Sequence, residues 1–453
     1  MAINGLYRNI KKIAGFFLLA IYMLGSWLRW SRPEGYPNQA IMIDLPQRRG
    51  YFFGIEIWPD EVYYITAILI MAALGLFLFT TLFGRLWCGY TCPHTVFVDM
   101  FVAIEKFFQG DHNARKRLDQ QIATPENKKI LKKLATHICW LLLGFLFAFG
   151  FVSYFYNAPT LLQDVISFNV APAATIWLIG LTFSTYLMAG YARWRVCMYM
   201  CPYGRFQSGM LDNDSYIVTY QAWRGEPRGK KGEPLGDCID CDKCYQVCPM
   251  GIDIRNGLQM ACIGCGLCID ACDGVMSKLG RDPGLIRYDS ENCVNLRSLG
   301  KKCKSIFIRP KTIIFATMFA IAFSLMSYQL AHKPVMNLNL SHDRSALFTT
   351  LPDGSIRNTY QARIVNRAQQ PRQVELSIAN LAQAQFKLQR TTEYASTAIV
   401  ELQPGEEKEV KLFIKVAGTN AGPTEKITDF SMIMRDLHSD RVVSRASRFI
   451  LGG

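Results

Sequence analysis

Apolar residues along this chain gather into a few long unbroken runs, and elsewhere they recur at short polar intervals. Five runs, at 13–30, 62–84, 134–156, 173–192 and 312–331, approach the ~20 apolar residues that a helix needs to cross a bilayer. They predict a polytopic α-helical membrane protein. Beyond Pro334 the period changes to two, and NTYQARIVN, RQVELSIAN, STAIVEL and EVKLFIKVAG read as half-buried strands separated by turn signals at 352–354 and 403–405. About seven such strands predict a C-terminal all-β immunoglobulin-like sandwich, with a barrel as the alternative.

Charge orients the spans. The chain has 453 residues, half of them hydrophobic, and a formal charge of +14, too apolar and too basic for a soluble electron carrier. Arg115, Lys116, Arg117, Lys128, Lys129, Lys132 and Lys133 lie between the second and third runs, whereas 157–172 holds no Lys or Arg. Positive loops stay inside, which places the N-terminus and the segment between spans four and five in the cytoplasm and the C-terminal domain outside. Arg29, Arg32, Arg48 and Arg49, in or just before a loop expected outside, argue against the direction of the first span. That span begins like a signal peptide, after Arg8, Lys11 and Lys12, but no small-residue cleavage site follows, so it is expected to stay as an anchor. Trp30, Trp58, Trp87, Tyr90, Tyr154 and Trp194, near span ends, fit interfacial belts. The basic residues flank spans, and no nucleic-acid module accompanies them.

Between spans four and five, CIDCDKCYQVCP and CIGCGLCIDAC repeat C-x2-C-x2-C-x3-C. In that spacing three cysteines close round one cubane cluster and the fourth ligates the other. Cys238, Cys241 and Cys244 with Cys272 are expected to hold one 4Fe-4S cluster, and Cys262, Cys265 and Cys268 with Cys248 the second. Structural zinc would use two CxxC knuckles, and a disulfide framework belongs to small secreted chains. Pro249 ends the first run, and Asp273 is expected to stop a helix at the same place in the second.

A second repeat lies at the ends of spans two and four. GRLWCGYTCPHTVF and ARWRVCMYMCPYGRF each carry C-x3-C-P, so Cys88 with Cys92 and Cys197 with Cys201 are expected one helical turn apart on one face. At the ~5–6 Å between such Cβ atoms a disulfide does not form, and the pairs suit a shared metal better. Pro93 and Pro202 would leave carbonyls free beside the thiols. Soft sulfur favours Cu(I), zinc or a further iron-sulfur centre. His94 is expected to hydrogen-bond rather than ligate, and Cys293 and Cys303 to be spare thiols. No dinucleotide fingerprint, phosphate loop or nucleophile triad is present, so a separate electron donor is expected.

These strings occur together with DLPQRRGYFFGIEIWPDE, RGEPRG at 224–229 and GLIRYDSEN, and over almost its whole length the chain resembles the CcoG/FixG/RdxA family of cytochrome oxidase accessory proteins. The resemblance implies assembly of a cbb-type haem-copper oxidase, with Cu(II) reduced to Cu(I) at Cys88, Cys92, Cys197 and Cys201 as catalytic and metal-binding residues. It also implies a copper chaperone or transporter as partner and a bacterial inner-membrane location, with the ferredoxin domain cytoplasmic and the C-terminal domain periplasmic as the charges place them; no nucleic-acid partner is expected, and a homodimer is left open. The expected division is 1–33 as the N-terminal end and first span, 34–195 as the membrane domain, 196–310 as the two-cluster ferredoxin-like α+β domain, 311–333 as the fifth span, and 334–453 as the sandwich. A quinol-oxidising membrane ferredoxin and a non-catalytic copper chaperone are the competing functions.

Overall fold

Helix α1, Leu6–Leu24, starts well before the apolar run that announced it. The structure, a computed structural model, describes residues 4–32, 35–110, 112–120, 129–229, 236–302, 309–343, 347–368, 370–389, 391, 393–416 and 427–451. The early start has a distant cause. The first N–H groups of a helix lack internal partners, and here Tyr7 N and Arg8 N donate to the carboxylate of Asp270, at 3.2 and 2.8 Å. Lys11 therefore lies inside the helix, buried, with its Nζ 3.0 Å from Asp99.

The chain continues through α2 (Val62–Phe83), α3 (Leu86–Tyr90), α4 (Pro93–Gln109), α5 (His112–Gln120), α6 (Lys129–Val152), α7 (Ala158–Ile166), α8 (Pro172–Thr185) and α9 (Pro202–Met210). After α8 the helix widens into π-turns at Tyr186–Ala192 and Val196–Met200. Among the described residues five helices are long and apolar enough to cross a membrane: Leu6–Trp27, Pro59–Phe83, Lys129–Val152, Pro172–Ala192 and Pro310–Ala331. Helix α4 is not among them. It buries Val98 and Phe101 against Trp140 and Ala189.

Strands β1 (Ile41–Asp44), β2 (Arg49–Phe52) and β3 (Ile55–Ile57) form a small antiparallel sheet over the ends of α1 and α6. Gln39, fully buried, donates to the carbonyls of Ile41 and Ser153 and accepts from Ala158 N. The guanidinium of Arg32 donates to the carbonyls of Pro37, Gln39, Ala40 and Phe53. Arg49 pairs with Glu56 and lies 3.8 Å over the ring of Trp58. These arginines are spent on folding the loop, so their charge says little about the side it faces. Trp58 and Tyr90, 1% and 7% exposed, are core residues and not interfacial anchors.

The cysteine-rich segment builds on β4 (Ile217–Tyr220), paired antiparallel with β5 (Ile286–Asp289), and carries α10 (Ala222–Gly225), α11 (Lys243–Gln246), α12 (Leu267–Lys278) and α13 (Glu291–Ser298). Its core joins Val218, Ile254, Ile269, Val275 and Leu285. Asp273 does not stop the helix. α12 runs through it, because the Asp273 carboxylate accepts from Gly284 N at 2.8 Å instead of turning back on its own backbone. Cys293, at the start of α13, is buried and disulfide-bonded and so is not a spare thiol; Cys303 and Lys128 lie outside the described residues.

By contacts the chain divides into Met1–Arg32 with Pro37–Ser327, and Pro33–Tyr36 with Tyr328–Gly453. The fifth long helix, α14 (Pro310–Ala331), belongs mostly to the first unit, where Arg309 at its start binds Asp212 and the carbonyl of Thr81. The starts of α1 and α14 and the ends of α2 and α8 thus share one side with the cysteine-rich fold.

The second unit is a β-sandwich. Strands β6 (Met336–His342), β7 (Thr349–Thr350), β8 (Ile356–Asn366), β9 (Arg372–Ala379), β10 (Gln385–Leu388), β11 (Thr397–Leu402), β12 (Glu407–Val416), β13 (Ile427–Asp436) and β14 (Val442–Ile450) form two sheets. Their orders are β10-β12-β8-β6, with β7 on β8, and β11-β9-β13-β14. Alternate residues such as Tyr360, Ile364, Leu376, Leu412 and Met432 fill the space between them. The hydroxyl of Tyr360 on β8 donates to the carbonyl of Arg448 on β14 at 2.6 Å, tying one sheet to the other. Nine strands among the described residues replace the seven expected, since β7 and β10 are too short to show a period.

Candidate metal centres

Two cavities are lined by described residues of the cysteine-rich fold. Cys238, Cys241, Cys244 and Cys272 line one of them, with Arg255 and Lys243 at its edge. The other is lined by Cys248, Cys262, Cys265 and Cys268, with Cys244 at the wall between the two and otherwise only apolar side chains, glycine and proline. Each cavity therefore combines three thiols of one run with the fourth of the other run, the crossover that the spacing requires. Cys272 reaches across because α12 carries it one turn beyond Cys268. Left-handed turns at Gly264 (φ 63°) and Gly266 (φ 70°) fold the second run back on itself, and Gly264 N donates to Cys262 Sγ at 3.4 Å.

The donor set fits an iron-sulfur cluster. Burial pushes the thiols of Cys262 and Cys272 up to about 12 and Cys244 up to about 11, and it raises Cys265 and Cys268 as well. A thiolate in such a dry site needs a compensating cation, which ferric and ferrous iron supply. When bound, the clusters supply one-electron transfer. Arg255, 6% exposed on its side chain, is clamped by Asp240, Asp242 and Asp253 at the first cavity, so one cluster site is ringed by charge and the other is apolar.

The two C-x3-C-P segments share a backbone. Each opens on a residue of positive φ, Gly84 at 57° and Arg193 at 46°, with ψ −126° and −121°. A short helical turn then carries Cys88 or Cys197. The second cysteine leaves the helix, at φ −62°, ψ 124° for Cys92 and φ −80°, ψ 110° for Cys201. Cys92 N donates to Trp87 O and Cys201 N to Val196 O, five residues back in each case. The paired thiols are thus not neighbours on one helix face, because Pro93 and Pro202 start new helices and pull the preceding residue into extended geometry. Cys92 and Cys201 instead sit at the N-termini of α4 and α9, where the helix dipole favours an anion. In the first motif one such carbonyl is taken up: Cys88 O accepts from the Thr95 hydroxyl at 2.7 Å.

The two motifs pack side by side, joined by the Cys88–Gln207, Arg85–Gly204 and His94–Arg193 contacts, while their four thiols are not gathered round one point. Cys88 lies within electrostatic range of Cys92, Cys197 and Cys201, and Cys197 within range of Cys92 and Cys201. Burial, then the neighbouring thiols, raise Cys88 to about 12 and Cys197 to about 11, and Arg85 opposes the rise at both. Cys88 Sγ donates to Gln207 on α9 at 3.3 Å. His94 Nε2 shares a hydrogen bond with the carbonyl of Arg193 at 2.8 Å, and burial lowers its pKa. It joins the motifs without pointing at a metal. Among the described residues no three His, Cys, Asp or Glu side chains are closed round a single ion.

Three residues that the motifs did not flag hold this region. Arg85 donates to the carbonyls of Met260, Cys262 and Gly204, Tyr90 Oη to Cys265 O at 3.0 Å, and Tyr288 Oη to Gly264 O at 2.5 Å. The only sequence signal was their position in or beside the cysteine strings.

Three families match segments of the chain: a 4Fe-4S dicluster domain over residues 192–291, a 4Fe-4S binding domain over residues 64–109, and the IG-like fold at the C-terminus of FixG over residues 326–452. Protein RdxB of Cereibacter sphaeroides is 41% identical over 458 residues, 99% of this chain and 94% of that protein. Nitrogen fixation protein FixG of Rhizobium meliloti is 38% identical over 469 residues, 96% of this chain and 88% of that one. Protein RdxA of Cereibacter sphaeroides is 43% identical over 380 residues, 83% of this chain and 81% of that one. The chain is a membrane iron-sulfur electron-transfer protein, and with identity of this level across both the helical and the sandwich parts it belongs to the FixG/RdxA family.

Proposed function

We propose that the protein passes electrons from two 4Fe-4S clusters to Cu(II) held by Cys88, Cys92, Cys197 and Cys201, releasing Cu(I) for assembly of a cbb-type haem-copper oxidase. One cluster is held by Cys238, Cys241, Cys244 and Cys272, and the other by Cys248, Cys262, Cys265 and Cys268. The observation that carries this reading is the packing of the two duplicated C-x3-C-P motifs against each other and beside the second cysteine run, through the Cys88–Gln207, His94–Arg193 and Arg85–Cys262 contacts. Soft thiolates bind Cu(I) more strongly than Cu(II), so the site favours the reduced product and hands it on by ligand exchange. Loading requires the thiols to swing together. Copper is the substrate here, and a copper chaperone or transporter receives or supplies it. Purified, cluster-loaded protein reduced with dithionite and mixed with Cu(II) tests this against a non-catalytic chaperone, which would bind copper without oxidising the clusters.

The reading places the clusters in the cytoplasm and the sandwich in the periplasm of a bacterial inner-membrane protein. A reporter active only outside the cytoplasm is expected to work when fused after Gly453 and to stay silent when inserted near Lys230. The reverse pattern overturns the orientation.

A second reading, oxidation of a membrane quinol, has its own observation. His137, on α6 within a membrane-spanning segment, shares a 3.1 Å hydrogen bond with the hydroxyl of Tyr186, which lies 3.3 Å from that of Tyr191. Tyr191 is 57% exposed, on a helix meant for lipid. Ionisable residues in such spans are usually functional, and a quinol must surrender its protons to a group of this kind. His137→Phe is expected to abolish cluster reduction by quinol in proteoliposomes while sparing reduction by dithionite. Undiminished reduction by quinol in this variant removes His137 from the donor side.

A further inference from the structure

The two C-x3-C-P turns are copies in backbone but not in surroundings. Gly89, one residue after Cys88, lies on the loop of the second cysteine run. A Cβ placed there would come 2.9 Å from Gly264 O, 3.0 Å from Ile263 O and 3.0 Å from Cys265 Cα. All three neighbours are backbone and cannot swing aside. Met198 occupies the equivalent place in the second motif and is 37% exposed. Tyr90, the next residue after Gly89, donates to Cys265 O, and Arg85 donates to Cys262 O and to Gly204 O in the turn after Cys201.

We infer that electrons leave the ferredoxin fold through this junction, with Gly89 and Arg85 as positioning residues, and that the first thiol pair receives them while the second pair completes the site. The inference rests on the ligand sets proposed above. Electron transfer slows steeply as a gap opens between donor and acceptor. Glycine at position 89 permits backbone-to-backbone contact between the helix bearing Cys88 and the loop bearing Cys262 and Cys265, and any side chain would part them. The step is a single electron: the cluster held by Cys248, Cys262, Cys265 and Cys268 is oxidised by one, Cu(II) becomes Cu(I), and no bond or proton changes hands.

The test uses full-length, cluster-loaded protein in which Cys92 alone of the four motif cysteines is kept and carries a photoexcitable ruthenium complex. A light pulse injects an electron, and bleaching of cluster absorbance reads its arrival without any copper. Gly89→Val is expected to slow arrival several-fold, Gly89→Ala and Arg85→Met less, and Gly209→Val not at all, since a Cβ at Gly209 meets nothing within 4 Å. In the electron paramagnetic resonance spectrum of reduced Gly89→Val, one cluster signal is expected to shift and the other to stay. Arrival at the wild-type rate in Gly89→Val, with iron content intact, overturns the inference. Should Gly89→Val lose iron, Gly89→Ala and Arg85→Met decide it by the same criterion. Failure of Cu(II) to oxidise the unlabelled protein would count against the copper reading alone.

Discussion

Serine at Cys88, Cys92, Cys197 and Cys201 together is expected to reduce the Cu(II) reductase rate to that of free copper meeting exposed clusters, with the iron and sulfide content unchanged. Sulfur at these positions has two tasks. As a soft ligand it lowers the free energy of Cu(I) relative to Cu(II), and a serine hydroxyl, a hard oxygen, does neither that nor readily ionise. The helix N-termini at Cys92 and Cys201 remain but no longer have a thiolate to stabilise. Serine at either pair alone is expected to cause most of the loss, because the proposed copper site draws on both pairs. The measurement is stopped-flow reoxidation of dithionite-reduced protein by Cu(II), with ferricyanide as a second oxidant that needs no thiol site. In cells the variants should make less active haem-copper oxidase when copper is scarce, and added copper should partly restore it. Wild-type reoxidation by Cu(II) in the four-serine protein would leave the paired motifs without a copper role.

Cys272→Ala is expected to remove the same cluster as Cys241→Ala, although its nearest neighbours in sequence belong to the other run. Wild-type protein purified without oxygen should hold about eight iron and eight sulfide, and each variant about half, with one electron paramagnetic resonance signal retained. The reason is geometric: Cys272 faces the cavity of Cys238, Cys241 and Cys244. The apolar cavity of Cys248, Cys262, Cys265 and Cys268 is closed without it. A count of about twelve iron, falling in the four-serine protein, would instead assign the paired motifs a third cluster. The match of a 4Fe-4S binding domain to residues 64–109, which include Cys88 and Cys92, makes that count worth taking.

What could be read in advance was whatever is written locally. Cysteine spacing carries its own geometry, so the two sets of cavity-lining thiols follow from 238–272 without any knowledge of the rest. Long apolar runs likewise announce the spans at their centres. The ends were legible only in part, because a helix end is set by what satisfies its orphan groups. For α1 that partner is Asp270, which no local pattern connects to Tyr7. The same limit hid the roles of Arg32 and Arg49, whose charge counted toward topology while their guanidinium groups were folding a loop. In the C-x3-C-P turns a helical spacing of four suggested one continuous helix. Proline at the next position ended that helix at the second cysteine, and the thiol pairs became helix starts. Gly89 gave no signal at all, since a close backbone approach shows only when both partners are in place.

The carboxylate that caps the first helix stands between Cys268 and Cys272, and this sets a timetable for biogenesis. The ribosome must make a further 262 residues after Arg8 before its partner exists. At ~5–20 residues per second that is roughly 13–50 s during which the leading segment is in the membrane without its final anchor. Even then Asp270 takes its place only once α12, which carries it, has formed. Seating of the start of the first span is thus expected to be a late step that waits on the fold of the cysteine-rich segment, and a chain halted before residue 270 would leave the first N–H groups of α1 without their acceptor.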